Sequence, residues 1–211
     1  MQLVGMLDSP YVRRVAISLL ALGLPFRHRA VSVFRGIEEF RLINPVVKAP
    51  TFVCDDGTVL MDSTLILEYG EALARPRTLL PSDPAALARS LRLIGLALAA
   101  CEKSAQLVYE RALRPPEKRH GPWVQRVTGQ LQAAYAELEA LLAARPIDLT
   151  DRPPMQDVIS VAVAWHFTQR VLADHVPTAA HPALVALSRT AEALPLFRAA
   201  PHGEEPMDGG A

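Results

Sequence analysis

Two different periodicities divide this chain, and the division limits what it can fold into. Residues 1–75 mix short β-like runs with helical segments, whereas beyond about residue 80 the sequence is rich in Ala and Leu and repeats almost wholly at helical spacing. Gln2–Leu7 is a short apolar run suited to a buried strand. Ser9 and Pro10 follow, a favoured N-cap and a proline suited to the first helical position. Val12, Val15, Ala16, Leu19 and Leu20 then recur at helical spacing up to a stop at Gly23. Phe26 to Phe34 reads as a second strand, Gly36 to Ile43 as a short helix, and Pro50 to Cys54 as a third strand. Asp55, Asp56 and Gly57 form a hairpin signal before a fourth strand over Thr58 to Met61. Ser63 reads as the cap of a helix whose apolar positions are Leu65, Ile66, Tyr69 and Leu73. The order is βαβαββα. A strand–helix–strand start implies a parallel pair, and the hairpin adds antiparallel strands.

The second region is punctuated by proline. Residues 77–83 read as a linker, and Asp83-Pro84 opens a long helix with Leu87, Leu91, Ile94, Leu98 and Cys101 on one face. Trp123 to Leu142 marks a second long helix, Met155 to Leu172 a third, and Pro182 to Leu194 a fourth. The third is apolar on most sides, as for a helix at a bundle centre. The expected division is 1–76, a linker over 77–83, an all-α domain over 84–200, and a frayed tail over 201–211.

Composition narrows the function classes. Half of the 211 residues are hydrophobic, enough for a sizeable core and too many for a disordered chain. Lys+Arg and Asp+Glu both total 22, so the basic excess of a phosphate-reading protein is missing and no nucleic-acid partner is expected. Two cysteines, Cys54 and Cys101, form neither a disulfide framework nor a zinc pattern. The start has no signal-peptide pattern, and the longest apolar stretch, Leu93–Cys101, is too short to span a bilayer. A soluble cytoplasmic protein without a membrane partner is expected. The six histidines lack metal-ligand spacing, so no metal is expected.

Three features fall where strand ends and helix starts converge: Ser9, Ala49-Pro50, and Asp62-Ser63. Together with their flanks, Ser9-Pro10-Tyr11-Val12-Arg13-Arg14-Val15, Asn44-Pro45-Val46-Val47-Lys48-Ala49-Pro50 and Asp62-Ser63 through Tyr69, they make the chain resemble the cytosolic-type glutathione S-transferases. The resemblance is to the bacterial branch with a Ser-Pro-Phe/Tyr-Val-Arg motif, and less closely to the plant tau class. It covers nearly the whole chain.

The resemblance implies a thioredoxin-like first domain followed by an all-α helical bundle. It implies glutathione as co-substrate, a small hydrophobic electrophile and a homodimer, with a detoxifying role. Ser9 is the implied catalytic residue, stabilising the glutathione thiolate. A free thiol has a pKa of about 8.5, and lowering it by two units takes about 2.7 kcal/mol. A hydroxyl hydrogen bond to the anion supplies about 1.5–3 kcal/mol, and a helix N-terminus adds roughly 0.3–2. By the same resemblance Pro50 is cis and the Ala49 backbone pairs with the cysteinyl part of glutathione like an added strand. Lys48 meets a glutathione carboxylate. Ser63 holds the γ-glutamyl carboxylate, with Asp62 near its amine. Tyr11, Tyr109 and Arg111 are second-substrate candidates between the domains, and Trp165 reads as core.

Some positions depart from the family pattern. Many relatives have Gly where this chain has Val47, and Pro154 takes the position of a Ser/Thr cap opening the third bundle helix, although Asp157 remains. Cysteine-type relatives carry Cys in place of Ser9, so their reductive chemistry is not expected. The Ser-Ser-Cys motif of maleylacetoacetate isomerases is missing as well, so that branch is not expected. The competing reading is a non-catalytic protein of the same fold that binds a protein partner or a hydrophobic ligand.

Overall fold

A computed structural model describes residues 1–149, 153–203 and 207. It divides into two compact units, Met1–Leu80 together with Ala193–Ala211, and Pro81–Glu192.

The first unit is built on a four-stranded sheet in the order β2-β1-β3-β4, with β1 at Gln2–Val4, β2 at Arg27–Arg29, β3 at Thr51–Val53 and β4 at Val59–Met61. β1 runs parallel to β2, Leu3 facing His28. It runs antiparallel to β3, Leu3 facing Phe52, and β3 is antiparallel to β4. Helices α1 (Pro10–Leu22), α2 (Ile37–Ile43) and α3 (Ser63–Ala74) complete the expected βαβαββα order. This is a thioredoxin-like domain, followed by a helical one.

All four strands are shorter than their sequence suggests, β1 and β2 by the most. β1 stops at Val4 because Gly5 takes φ 137°, a backbone that a side chain rarely tolerates. β2 stops at Arg29 because Ser32 starts a turn: its Oγ accepts from the N–H groups of Phe34 and Arg35, and Gly36 N–H bonds the Ser32 carbonyl. Val31 is nevertheless buried, in a cluster with Val4 and Phe40.

Helix α1 begins and ends as its sequence dictates. Ser9 occupies the N-cap position, Pro10 the first turn, and Gly23 closes the helix in the left-handed conformation with its N–H on the carbonyls of Leu19 and Leu20. Its middle is buried almost all round, and it packs on α3. At α3 the cap sits one residue earlier than expected. Asp62 is the N-cap, its carboxylate accepting from Thr64 N–H at 2.9 Å, and Ser63 is the first helical residue.

The second unit consists of α4 (Pro84–Leu113), α5 (Gly121–Ala144), α6 (Gln156–Val171) and α7 (Pro182–Glu192). Asp83 caps α4 by accepting from Ala86 N–H. By length and mean hydropathy alone α4 is the one helix among the described residues that could cross a membrane. Here a stripe of it, Ile94, Ala97, Ala100, Cys101, Ser104 and Leu107, is buried and the helix packs on α5 and α6. A polar cluster joins the three helices. Tyr135 O–H donates to the Ala164 carbonyl at 2.9 Å and lies 2.6 Å from Thr168 Oγ1, which lies 2.8 Å from Ser104 Oγ. Burial pushes the Tyr135 phenol well above its usual range. Trp165 is core, edge-on to Tyr135. The N-terminus of α6 has Met155 at the cap and no side-chain cap bond; Asp157 in the first turn accepts from Val158 N–H.

The largest departure from the sequence reading is at the C-terminus. A further short helix, α8 (Pro195–Ala199), belongs to the first unit instead of ending the helical one. Arg13 draws it there. Its guanidinium is only 1% exposed, donates through Nε to the Ala200 carbonyl at 2.8 Å, and lies over the Phe197 ring. Beyond it, Met207 N–H donates to His28 Nδ1 at 3.1 Å. Of the tail expected to fray over 201–211, residues 204–206 and 208–211 lie outside the described residues.

Candidate functional site

Ser9 stands at the junction of β1 and α1. Its carbonyl accepts from Arg13 N–H and starts the helix, but its hydroxyl makes no capping hydrogen bond. A capping serine normally uses its oxygen on the helix backbone. Here the side chain is partly exposed at the positive end of a 13-residue helix, and the helix backbone does not use its hydroxyl.

The second feature is the loop from Asn44 to Thr51. Asn44 is buried; its amide donates to Thr51 Oγ1 at 2.9 Å and its side-chain oxygen accepts from Val46 N–H. Thr51 in turn donates to the Lys48 carbonyl at 2.7 Å. Between these bonds Val47 takes φ 53°, a left-handed backbone that is costly for a β-branched residue. A glycine would carry no such cost at this position. Two interactions hold Val47 there: its N–H bonds the Asn44 carbonyl, and its side chain packs against the cluster of Val4, Val31 and Phe40.

The Ala49–Pro50 peptide is cis. Ala49 lies outside the β3 ladder, and among the described residues its N–H and C=O enter no loop or turn hydrogen bond. Gly5 sets the distance of this loop from α1. A methyl group at Gly5 would meet Val12 Cγ2 at 2.6 Å and the Ala49 Cβ at 3.2 Å, so the absent side chain lets the loop and the first turn of α1 approach one backbone segment.

The third feature is the start of α3. Asp62 has φ 75°, the other left-handed non-glycine residue besides Val47 among those described. Its carboxylate caps the helix and lies 3.6 Å from Lys48 Nζ. Ser63 is buried and accepts a hydrogen bond from Arg14 Nη1 at 2.9 Å; Thr64 Oγ1 accepts from the same nitrogen at 3.3 Å. Arg14 is 4% exposed.

Three links connect these features. Gly5 brings the Ala49 loop against α1, Arg14 joins α1 to Ser63, and Lys48 joins the loop to Asp62. Ser9, Lys48, Ala49, Pro50, Asp62 and Ser63 thus all belong to the same connected end of the sheet. Tyr11 lies on the first turn of α1 and is partly buried. Tyr109 and Arg111 belong to the other unit, on the last turns of α4. Tyr109 is exposed, and Arg111 Nη2 donates to the Val171 carbonyl at 2.9 Å. Cys54, just after β3, and Cys101, on α4, are both buried and form no disulfide. Among the described residues no group of three or more His, Cys, Asp or Glu side chains could hold a metal ion.

Sequence reasoning missed Arg13 and Arg14. The signal was present, two adjacent charges inside a helix otherwise buried nearly all round. Their partners lie 187 and 49 residues away, out of reach of any local pattern.

Comparison with known proteins agrees with this geometry. A family model described as the glutathione S-transferase N-terminal domain matches residues 3–78. The uncharacterized GST-like protein YibF of Escherichia coli is 28% identical over 167 residues, 78% of this chain and 79% of its own length. Maleylacetoacetate isomerase of Pseudomonas aeruginosa is 29% identical over 203 residues, 92% of each chain. The crystal structure of a glutathione S-transferase from Methylobacterium radiotolerans, in complex with glutathione sulfonate, superposes over all of this chain and 99% of that one, with a TM-score of 0.85 and 27% identity. The family model thus matches the first unit of this chain nearly end to end, and the whole chain shares the fold of the solved glutathione S-transferase.

Proposed function

We propose that this protein is a glutathione transferase in which Ser9 stabilises the thiolate of bound glutathione for attack on a small hydrophobic electrophile. The observation that carries this reading is the uncommitted Ser9 hydroxyl at the N-terminus of α1. The hydroxyl donates to the thiolate and the helix end adds its positive potential; neither group is consumed in the reaction. The backbone N–H and C=O of Ala49, beside Pro50, pair with the cysteinyl residue. The first turn of α3 with Ser63 takes the γ-glutamyl carboxylate, Asp62 its amine, and Lys48 a further carboxylate. Tyr11, Tyr109 and Arg111 are proposed to face the electrophile. Assignment to the tau-like bacterial branch, a cytoplasmic location, a detoxifying role and a homodimer are parts of the same proposal.

The end-to-end alignment with a maleylacetoacetate isomerase favours a second reading, a glutathione-dependent isomerisation in which the thiolate adds to a double bond and is later expelled. Ser9 serves both reactions in the same way. Isothermal calorimetry with reduced glutathione tests the shared step. Saturable one-site binding that is weakened in Ser63→Ala supports it. An absence of binding up to several millimolar contradicts it and leaves the non-catalytic binding protein. Assays with an aryl halide and with a cis-alkene diacid then separate transfer from isomerisation.

A further inference from the structure

We infer that Arg14 is a positioning residue of the carboxylate-binding end of the site, orienting the hydroxyl protons of Ser63 and Thr64 so that both donate outward to the γ-glutamyl carboxylate. The inference rests on the reading of α3 given above and extends it to two residues, Arg14 and Thr64.

A guanidinium carries five N–H donors and no acceptor. Where Arg14 Nη1 lies 2.9 Å from Ser63 Oγ and 3.3 Å from Thr64 Oγ1, both oxygens must therefore accept, and both O–H groups must point elsewhere. Inside a helix such protons often return to the carbonyl four residues earlier. Ser63 and Thr64 are the first two residues of α3, so those carbonyls belong to Val59 and Leu60 in β4 and offer no intrahelical acceptor. The protons are left for a ligand at the helix end. Thr64 is exposed there, while its N–H is already taken by Asp62. The hydroxyl is thus its means of meeting an anion. Arg14 itself, 4% exposed, adds a buried positive charge behind the two hydroxyls. A simple tie between α1 and α3 requires only one of these bonds; a shared nitrogen on two adjacent hydroxyls fixes the direction of both.

The test compares reduced glutathione with an analogue lacking the γ-glutamyl α-carboxylate, by calorimetry on the wild type, Arg14→Met, Arg14→Lys and Thr64→Val. Arg14→Met is expected to weaken glutathione binding about tenfold, the loss of one hydrogen bond to a charged group, and to leave analogue binding unchanged. Arg14→Lys recovers part of the loss. Thr64→Val, at an exposed position that tolerates the change, weakens glutathione binding about threefold and spares the analogue; it carries the comparison alone if Arg14→Met does not fold. Equal weakening of both ligands reduces Arg14 to a helix tie and overturns the inference, as does unchanged glutathione binding in Arg14→Met and Thr64→Val. Failure of the wild type to bind glutathione overturns the site reading itself, a distinct result.

Discussion

Lys48 Nζ lies 3.6 Å from Asp62 Oδ2, and this ion pair connects the two loops that carry the left-handed residues Val47 and Asp62. Both side chains are about half exposed, so the pair contributes little to stability, roughly 0–1 kcal/mol. Its charges are instead those the proposed site offers to the ends of glutathione. Lys48→Met is expected to leave the melting temperature within a degree or two and to weaken glutathione binding several-fold. Calorimetry beside a thermal melt checks both.

Val47 allows a sign test of backbone strain. At φ 53° a non-glycine residue costs about 1–2 kcal/mol. Val47→Ala loses packing on Val4, Val31 and Phe40 and keeps the strain; Val47→Gly loses the same packing and relieves it. Chemical denaturation is expected to find the glycine variant the more stable of the two by about 1 kcal/mol, the reverse of the order at an ordinary position.

Gly5 is expected to tolerate no side chain. A methyl there sits 2.6 Å from Val12 Cγ2 on a backbone with φ 137°. Gly5→Ala should destabilise the protein by about 2 kcal/mol or more and displace the Ala49 loop, so denaturation and glutathione titration should both register the change.

The same reasoning about lost partners applies to Arg13. Arg13→Met leaves the buried carbonyl of Ala200 without its donor, at a cost of about 2–3 kcal/mol. Limited proteolysis is expected to cut near residues 193–203 first in the variant. A wild-type cleavage pattern would show that α8 is held by other contacts.

How much of this was legible in the sequence depends on the range of each interaction. The ends of α1 were, because Ser9, Pro10 and Gly23 act within a turn of themselves. The cap of α3 was displaced by one residue because Asp62 and Ser63 are both good caps, and the left-handed backbone at Asp62 decides between them. β2 was overextended because Val31 and Val33 continue a strand-like pattern after Ser32 has already turned the chain. The cis Ala49–Pro50 peptide followed from family resemblance alone. The roles of Arg13 and Arg14, and the return of α8 to the first unit, depend on partners far along the chain and became visible only in the folded protein.

His28 gives the fold a pH dependence. Its Nε2–H donates to the Gly5 carbonyl and its Nδ1 accepts from Met207 N–H, an arrangement that only the neutral ring satisfies. Burial holds its pKa below the usual value of 6.5. The unfolded chain therefore binds the proton first. This contribution to stability is complete above pH 6.5 and is lost as the pH falls below it toward the folded value. Denaturation across that window is expected to show stability falling with acid in the wild type and a flatter profile in His28→Gln.

The central claim is that Ser9 lowers the thiol pKa of bound glutathione while taking no part in capping α1. Ultraviolet titration of the thiolate in the protein–glutathione complex tests it directly, with Ser9→Ala alongside. The account predicts a wild-type pKa about two units below the free value of about 8.5, a return toward that value in Ser9→Ala, and unchanged thermal stability of the variant. Equal thiol pKa values in the two proteins, or a variant destabilised by the loss of a cap, would contradict it.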